Sequence, residues 1–140
     1  RLRRLRELTF GIVGLGRIGT ATALRAKALG FKVIFHDPYL ANGADKAVGV
    51  TRVRTLDELL AQSDVLSLHC PLNDETRHLI AERELSLLKP GAFVVNTARG
   101  GVIKKTAILP RCAKVASPVP GSTSSKTSRC AARRRPPRQT

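Results

Sequence analysis

The 140-residue chain has no methionine, no tryptophan and a single tyrosine, Tyr39. It has no histidine after His78 and no acidic residue after Glu84. Its three cysteines, Cys70, Cys112 and Cys130, are odd in number and lack C-x-x-C spacing. That argues against a disulfide framework and against a zinc site, so no metal is expected, and it suits a reducing compartment. No apolar run approaches the roughly 18 residues of a membrane span. No signal peptide is visible, although a missing N-terminus would hide one. A chain that begins with Arg1 and contains no Met is expected to be a fragment, a processed product or an incomplete gene model.

Charge is spread unevenly. Residues 1–101 hold 15 Lys/Arg and all 10 Asp/Glu, whereas residues 102–140 hold 10 Lys/Arg and no acid. All five aromatic residues lie in the first part, and the last 39 residues carry five Pro, five Ser and four Thr. Such a segment buries too little apolar surface to offset its ordering entropy. The expected division is an ordered domain over 1–103 and a disordered basic tail over 104–140. Arg133-Arg134-Arg135 and Arg138 would neutralise phosphates. The tail offers no aromatic residue for base stacking, which weighs against a nucleic-acid partner.

The most informative segment is Phe10-Gly11-Ile12-Val13-Gly14-Leu15-Gly16-Arg17-Ile18-Gly19. It reads as a short apolar strand running into G-x-G-x-x-G and then into a helix from Arg17 to Leu29, closed by Gly30. Gly14 allows a tight turn out of the strand. Gly16, without a Cβ, lets a pyrophosphate approach the backbone, and Gly19 lets the helix pack close to the sheet. The helix start adds unpaired N–H groups and a partial positive charge. Asp37, 18 residues after Gly19, ends a second apolar run, Val33-Ile34-Phe35. Its carboxylate suits both ribose hydroxyls of an adenosine and repels a 2′-phosphate, so NAD is favoured over NADP.

The remaining pattern alternates strands with helices. Arg1 to Leu8, with leucines at three-residue spacing, is expected to be the last turns of an amphipathic helix. Strands are expected over Phe10–Gly14, Lys32–His36, Val50–Val53, Asp64–Leu68 and Ala92–Asn96. Helices are expected over 44–48, from a capping box at Thr55-Leu56-Asp57-Glu58 to Gln62, and over Ala81–Leu88. The alternation implies right-handed βαβ crossovers and an α/β fold, a Rossmann-type doubly wound parallel sheet. The ordered pattern stops near Ile103, so the sheet is expected to be incomplete at its C-terminal end, with the edge of strand five uncovered.

Two more segments fall at the carboxyl ends of strands, where such sheets bind ligands. After strand four come His69-Cys70-Pro71-Leu72-Asn73-Asp74-Glu75-Thr76, and after strand five come Asn96-Thr97-Ala98-Arg99-Gly100-Gly101. An arginine there suits a carboxylate through two parallel hydrogen bonds and would polarise an adjacent carbonyl. With these motifs in this order, residues 8–103 resemble the D-isomer-specific 2-hydroxyacid dehydrogenases. The stretch Ala23-Leu24-Arg25-Ala26-Lys27-Ala28 and the turn Asp37-Pro38-Tyr39-Leu40 look closest to the branch containing the C-terminal-binding-protein corepressors. The resemblance implies NAD as cofactor and a small 2-hydroxy or 2-oxo acid as substrate. It implies that Gly14, Gly16, Arg17, Ile18 and Gly19 surround the pyrophosphate and that Asp37 holds the adenosine ribose. Cys70, Pro71 and Thr76 would line the adenosine and phosphate side, Thr97 and Ala98 the nicotinamide side, and Arg99 would bind substrate. A homodimer stays open, and the expected location is cytoplasmic, or nuclear for a corepressor-like protein.

The chain departs from the family after Ile103. The family pairs its arginine with a Glu and a His from later in the chain, the His acting as acid/base and the Glu tuning it. None of His36, His69 and His78 matches that position. His36 reads as a strand-end residue, His69 as a structural or cofactor-lining one, and His78 as solvated. Lys104 stands where the family usually has an acid, which suggests a frameshift or mis-spliced exon. The expectation is the NAD-binding part of an oxidoreductase acting on the CH–OH group of 2-hydroxy acids, inactive as this piece. The alternative is an NAD(H)-sensing, corepressor-like interaction protein.

Overall fold

The computed structural model describes residues 4–112 and 127–129. Five parallel strands form its centre: β1 (Thr9–Val13), β2 (Lys32–His36), β3 (Thr51–Arg52), β4 (Val65–Leu68) and β5 (Phe93–Asn96). Their spatial order is β3-β2-β1-β4-β5, so the chain reverses direction across the sheet at β1. Helices α1 (Arg17–Ala28), α2 (Ala44–Val48), α3 (Leu56–Gln62) and α4 (Glu82–Leu87) supply the crossovers. This is the doubly wound order, whose switch point lies between β1 and β4. The expected fold class is therefore present.

Period-two alternation along the strands sorts the core into two layers. Ile12, Val33 and Phe35 join Leu15, Ala23 and Ala26 under α1. Val13, Ile34, Leu66 and Leu68 join Leu59, Leu60 and Leu85 under α3 and α4. The alanines of α1 matter because a small face lets that helix lie close to the sheet. Thr55 caps α3 as its sequence suggests, its hydroxyl accepting from the Glu58 N–H at 3.2 Å. The reciprocal half of the box is shifted, because Glu58 Oε2 accepts from the Arg54 N–H and not from Thr55.

Asp64 joins three strands at their amino ends. Its carboxylate accepts from the Thr9 N–H at 2.9 Å and from Lys89 Nζ at 3.0 Å. Its own N–H donates to the Thr9 carbonyl, and its carbonyl accepts from the Phe93 N–H. One residue thereby registers β1, β4 and β5.

The structure differs from the expectations in three places. Leu5–Glu7 forms a single 3-10 turn rather than the end of an amphipathic helix, because none of its residues is buried and β1 begins two residues later. The ordered pattern also continues past Ile103. Helix α5 (Lys105–Cys112) places Ala107 in the core and Ile108 against it. Finally, the edge of β5 is covered by β6 (Thr127–Arg129), which pairs antiparallel with Phe93–Val95. An apolar edge strand satisfies its backbone with whatever extended segment reaches it. The rest of the tail, 113–126 and 130–140, lies outside the described residues.

Replacing Asp64 by Ala leaves the partly buried Thr9 N–H without its carboxylate acceptor. Asp64→Ala is expected to lower unfolding stability by about 1–3 kcal/mol, and Asp64→Asn by less because an oxygen acceptor remains. Urea denaturation followed by circular dichroism checks both, and equal stability of Asp64→Ala and the parent contradicts the role.

Candidate functional site

The carboxyl ends of β1, β2, β4 and β5 converge on the β1–α1 turn. Gly14 has φ +87°, which favours glycine, and a Cβ there would press on the Cys70 backbone at 3.0 Å. A Cβ on Gly19 would collide with the Gly14 carbonyl oxygen, so α1 is held within backbone contact of the turn. A Cβ on Gly16 would meet nothing within 4 Å. Gly16 thus borders the open side of a cradle whose other walls are tightly packed.

The first turn of α1 faces that cradle. Its first intrahelical bond runs from the Thr20 N–H to the Gly16 carbonyl. No side chain caps the helix start. The Arg17, Ile18 and Gly19 N–H groups precede that bond and are the unpaired donors that favour an anion. Arg17 and Ile18 are exposed on this turn, and Gly19 is buried beneath it.

Asp37 stands beside the turn. Its Oδ2 accepts from the Leu15 N–H at 2.9 Å, and its Oδ1 accepts from the Tyr39 N–H at 3.0 Å. The carboxylate is thus oriented by both the β1–α1 turn and its own turn. The Tyr39 hydroxyl donates to Glu75, tying the β2 turn to the loop after β4. Gly14, Gly16, Arg17, Ile18, Gly19 and Asp37 therefore share one edge, as the motif implied. They fit the phosphates and ribose of a dinucleotide: amide donors at a helix start, a glycine where a Cβ would intrude, and a fixed carboxylate beside them.

The loop after β4 forms the second wall. Cys70 is buried, and burial pushes its thiol up from the ordinary range. Pro71 is exposed. Thr76 is buried, and its hydroxyl donates to the Pro71 carbonyl at 2.5 Å while accepting from the Asn73 N–H at 2.9 Å. Its side chain holds the loop shut on itself.

The third wall follows β5. Asn96 Oδ1 accepts from the Ala98 N–H at 3.1 Å, and its Nδ2 donates to the Arg99 carbonyl at 3.0 Å. Asn96 therefore shapes the loop that carries Thr97, Ala98 and Arg99, with Arg99 exposed at its end. His69 links the second and third walls. Its Nε2 lies 2.8 Å from Ser67 Oγ and its Nδ1 lies 3.3 Å from Thr97 Oγ1. His36 ends β2 with Nδ1 3.4 Å from the Val53 carbonyl, and His78 is exposed. The sequence places Asn96 in the motif after strand five without a role of its own, and it does not single out Ser67 or, at the end of β3, Arg52, whose Nη2 donates to the Asp37 carbonyl at 2.8 Å. Asn96 and Arg52 are marked in the sequence only by their strand-end positions, and Ser67, inside β4, by nothing.

The comparisons with known proteins agree with this geometry. Residues 1–114 match the model of the D-isomer specific 2-hydroxyacid dehydrogenase, NAD binding domain. The chain belongs to that family and contains its NAD-binding domain. It is 47% identical over 103 residues to C-terminal-binding protein 1 of Caenorhabditis elegans, covering 74% of this chain and 14% of that protein. It is 46% identical over 105 residues to glyoxylate reductase of Aeropyrum pernix, covering 75% of this chain and 31% of that protein. Among solved structures, D-lactate dehydrogenase of Aquifex aeolicus in complex with NAD and lactic acid superposes with a TM-score of 0.72 at 42% identity. That match covers 77% of this chain and 32% of the enzyme. The chain thus spans about a third or less of each of these relatives. Among the described residues, no helix is long and apolar enough to cross a membrane.

Burial lowers the pKa of His69 below its ordinary value of 6.5, so the folded state favours the neutral ring. The unfolded chain then binds the proton more readily. The His69 contribution is complete above pH 6.5 and is lost as pH falls from there through the lower folded value. Thermal unfolding between pH 8 and pH 5 is expected to show this acid-side loss, attenuated in His69→Gln. An unchanged pH profile in the variant contradicts the assignment.

Proposed function

We propose that this chain holds NAD(H) with the pyrophosphate on the α1 N-terminus at Gly14, Gly16, Arg17, Ile18 and Gly19. In this reading Asp37 receives the adenosine ribose. The observation that carries it is the Asp37 carboxylate hydrogen-bonded to the Leu15 N–H, which sets a ribose-binding acid directly beside the phosphate-binding turn. Cys70 and Pro71 flank the adenosine side, with Thr76 holding their loop. Thr97 and Ala98 flank the nicotinamide, and Arg99 pairs with the substrate carboxylate.

When bound, the nicotinamide supplies or accepts a hydride at the carbon bearing the substrate oxygen. The whole protein is then an oxidoreductase interconverting 2-oxo and 2-hydroxy acids. Arg99 anchors the acid and polarises the carbonyl as charge develops on its oxygen. His69 lies on the nicotinamide side through Thr97, but its ring is already engaged by Ser67 and Thr97, and burial favours its neutral form. It is a poor proton donor there. Lys104 and Lys105 are the nearest titratable groups after Arg99, and a lysine acts near neutral pH only under strong desolvation. No His, Asp or Glu follows Arg99 in this chain to act as the proton donor in the family's manner.

Two outcomes test this reading. Asp37→Ala is expected to weaken NADH binding about ten- to a hundredfold, the cost of losing hydrogen bonds to a charged acceptor, and to reduce discrimination against NADPH. Calorimetry showing equal NADH affinity in variant and parent contradicts it. The 140-residue chain is also expected to show negligible NADH oxidation with glyoxylate, pyruvate or hydroxypyruvate, because acid/base catalysis alone is worth about 10²–10⁴-fold. Robust turnover that disappears in Arg99→Ala would show that the chain holds a complete catalytic set.

A further inference from the structure

We propose that the hydrogen bond from the Tyr39 hydroxyl to the Glu75 carboxylate is an autoinhibitory strap, which competes with the adenosine half of the dinucleotide for the gap between the β2 turn and the loop after β4. The inference rests on the dinucleotide reading above and adds to it a contact that opposes binding.

The course of the strap follows from the sheet order. Strand β1 lies between β2 and β4. Those two strands are therefore two spacings apart, about 10 Å. Tyr39 follows the end of β2, and Glu75 belongs to the loop that follows β4. A bond between their side chains has to pass across the carboxyl end of β1, where the glycine turn and the start of α1 lie. The cradle and the strap thus share one edge of the sheet. In the dinucleotide reading the ribose meets Asp37, two residues before Tyr39. The adenosine lies against Cys70 and Pro71, in the same loop as Glu75. Ligand and strap claim the same gap.

Both ends of the strap are anchored through the backbone. The Tyr39 N–H donates to Asp37 Oδ1 at 3.0 Å, and Leu40 packs on the core under α1. Beside Glu75, the Thr76 N–H donates to Asn73 Oδ1 at 2.9 Å, and the Thr76 hydroxyl donates to the Pro71 carbonyl at 2.5 Å. The two side chains themselves face solvent. Tyr39 is 74% exposed, and Glu75 is exposed as well. Burial therefore does not hold the Tyr39 ring in place; the bond to the carboxylate does. Opening needs only side-chain rotation, which is fast at exposed positions. The closed arrangement lowers the fraction of chains able to bind, and apparent affinity falls by that fraction. A residue that only contacts the ligand behaves in the opposite way, since removing it weakens binding.

Two measurements on the full chain test the strap. Tyr39 is the only tyrosine and the chain has no tryptophan, so tyrosine emission reports on the strap directly. A carboxylate bonded to the phenol quenches that emission, and Glu75→Ala is expected to brighten it. Unchanged emission overturns the strap. In calorimetric titration, Tyr39→Phe, which keeps the ring and loses the donor, is expected to bind NADH about three- to tenfold more tightly than the parent, the worth of one hydrogen bond. Glu75→Ala is expected to gain similarly, and the double variant no more than Tyr39→Phe, because each substitution breaks the same bond. Melting curves recorded for every variant verify that it is folded. NADH binding by the parent with equal or weaker binding in Tyr39→Phe overturns the strap alone. A Glu75→Ala gain undiminished in the Tyr39→Phe background is relief of charge repulsion and overturns it too. Failure of the parent to bind NADH overturns the dinucleotide reading and the strap together.

Discussion

The near-contact of two backbones, α1 at Gly19 and the β1 end at Gly14, is the constraint on which the rest of the structure depends. A Cβ at Gly19 would meet the Gly14 carbonyl, and a Cβ at Gly14 would press on the backbone of Cys70. Three elements therefore meet at one point with no side chain between them. Because that point is tight, the first turn of α1 aims its unpaired N–H groups across the sheet's carboxyl edge. A larger residue at either glycine would tilt the helix away and misdirect every donor on it. The small face of α1, with Ala23 and Ala26 buried, is the packing counterpart of the same requirement.

Two aspartates then divide the polar work between the sheet's ends. At the amino ends, Asp64 receives Thr9 and Lys89 and passes backbone bonds to β1 and β5, so its role is structural registry. At the carboxyl ends, Asp37 receives the Leu15 and Tyr39 N–H groups and sits at the rim of the cradle. The chemistry of the two side chains is the same. What differs is which end of the strands each occupies, and in a doubly wound sheet only the carboxyl ends line the ligand crevice. C-terminal-binding protein 1 of Caenorhabditis elegans and glyoxylate reductase of Aeropyrum pernix each match about three quarters of this chain. Arg99 stands exposed at the end of the loop after β5, on that same carboxyl edge.

Much of this was legible in the residues because it is local. The glycine spacing, the apolar strands, the Asp37-Pro38 stop and the Thr55 cap each act within a few positions of themselves. The boundaries of β1, β2, α1 and α3 follow from such signals to within a residue or two. The Glu58 carboxylate was less legible, since a shift of one residue in its partner costs almost nothing and leaves no trace in the pattern. The single turn at Leu5–Glu7 was misread because leucine spacing describes a helical face without saying whether anything packs on it. Helix α5 and the antiparallel β6 were missed for the opposite reason: composition averages over a segment and cannot register a few residues that find a partner.

The sequence by itself determined the fold class, the family and the position of the glycine turn between β1 and α1, because each rests on backbone requirements that only certain residue types meet at fixed spacing. Tertiary structure alone decided what surrounds the turn. Thr76 faces its own loop, Asn96 shapes the approach to Arg99, and His69 is held between Ser67 and Thr97. Arg52 supports Asp37 from 15 residues further along the chain. These pairings depend on where strand ends meet in space, and neighbouring strands of a parallel sheet are separated in sequence by whole helices. Periodicity places a residue on a face; only the packed sheet sets it against its partner.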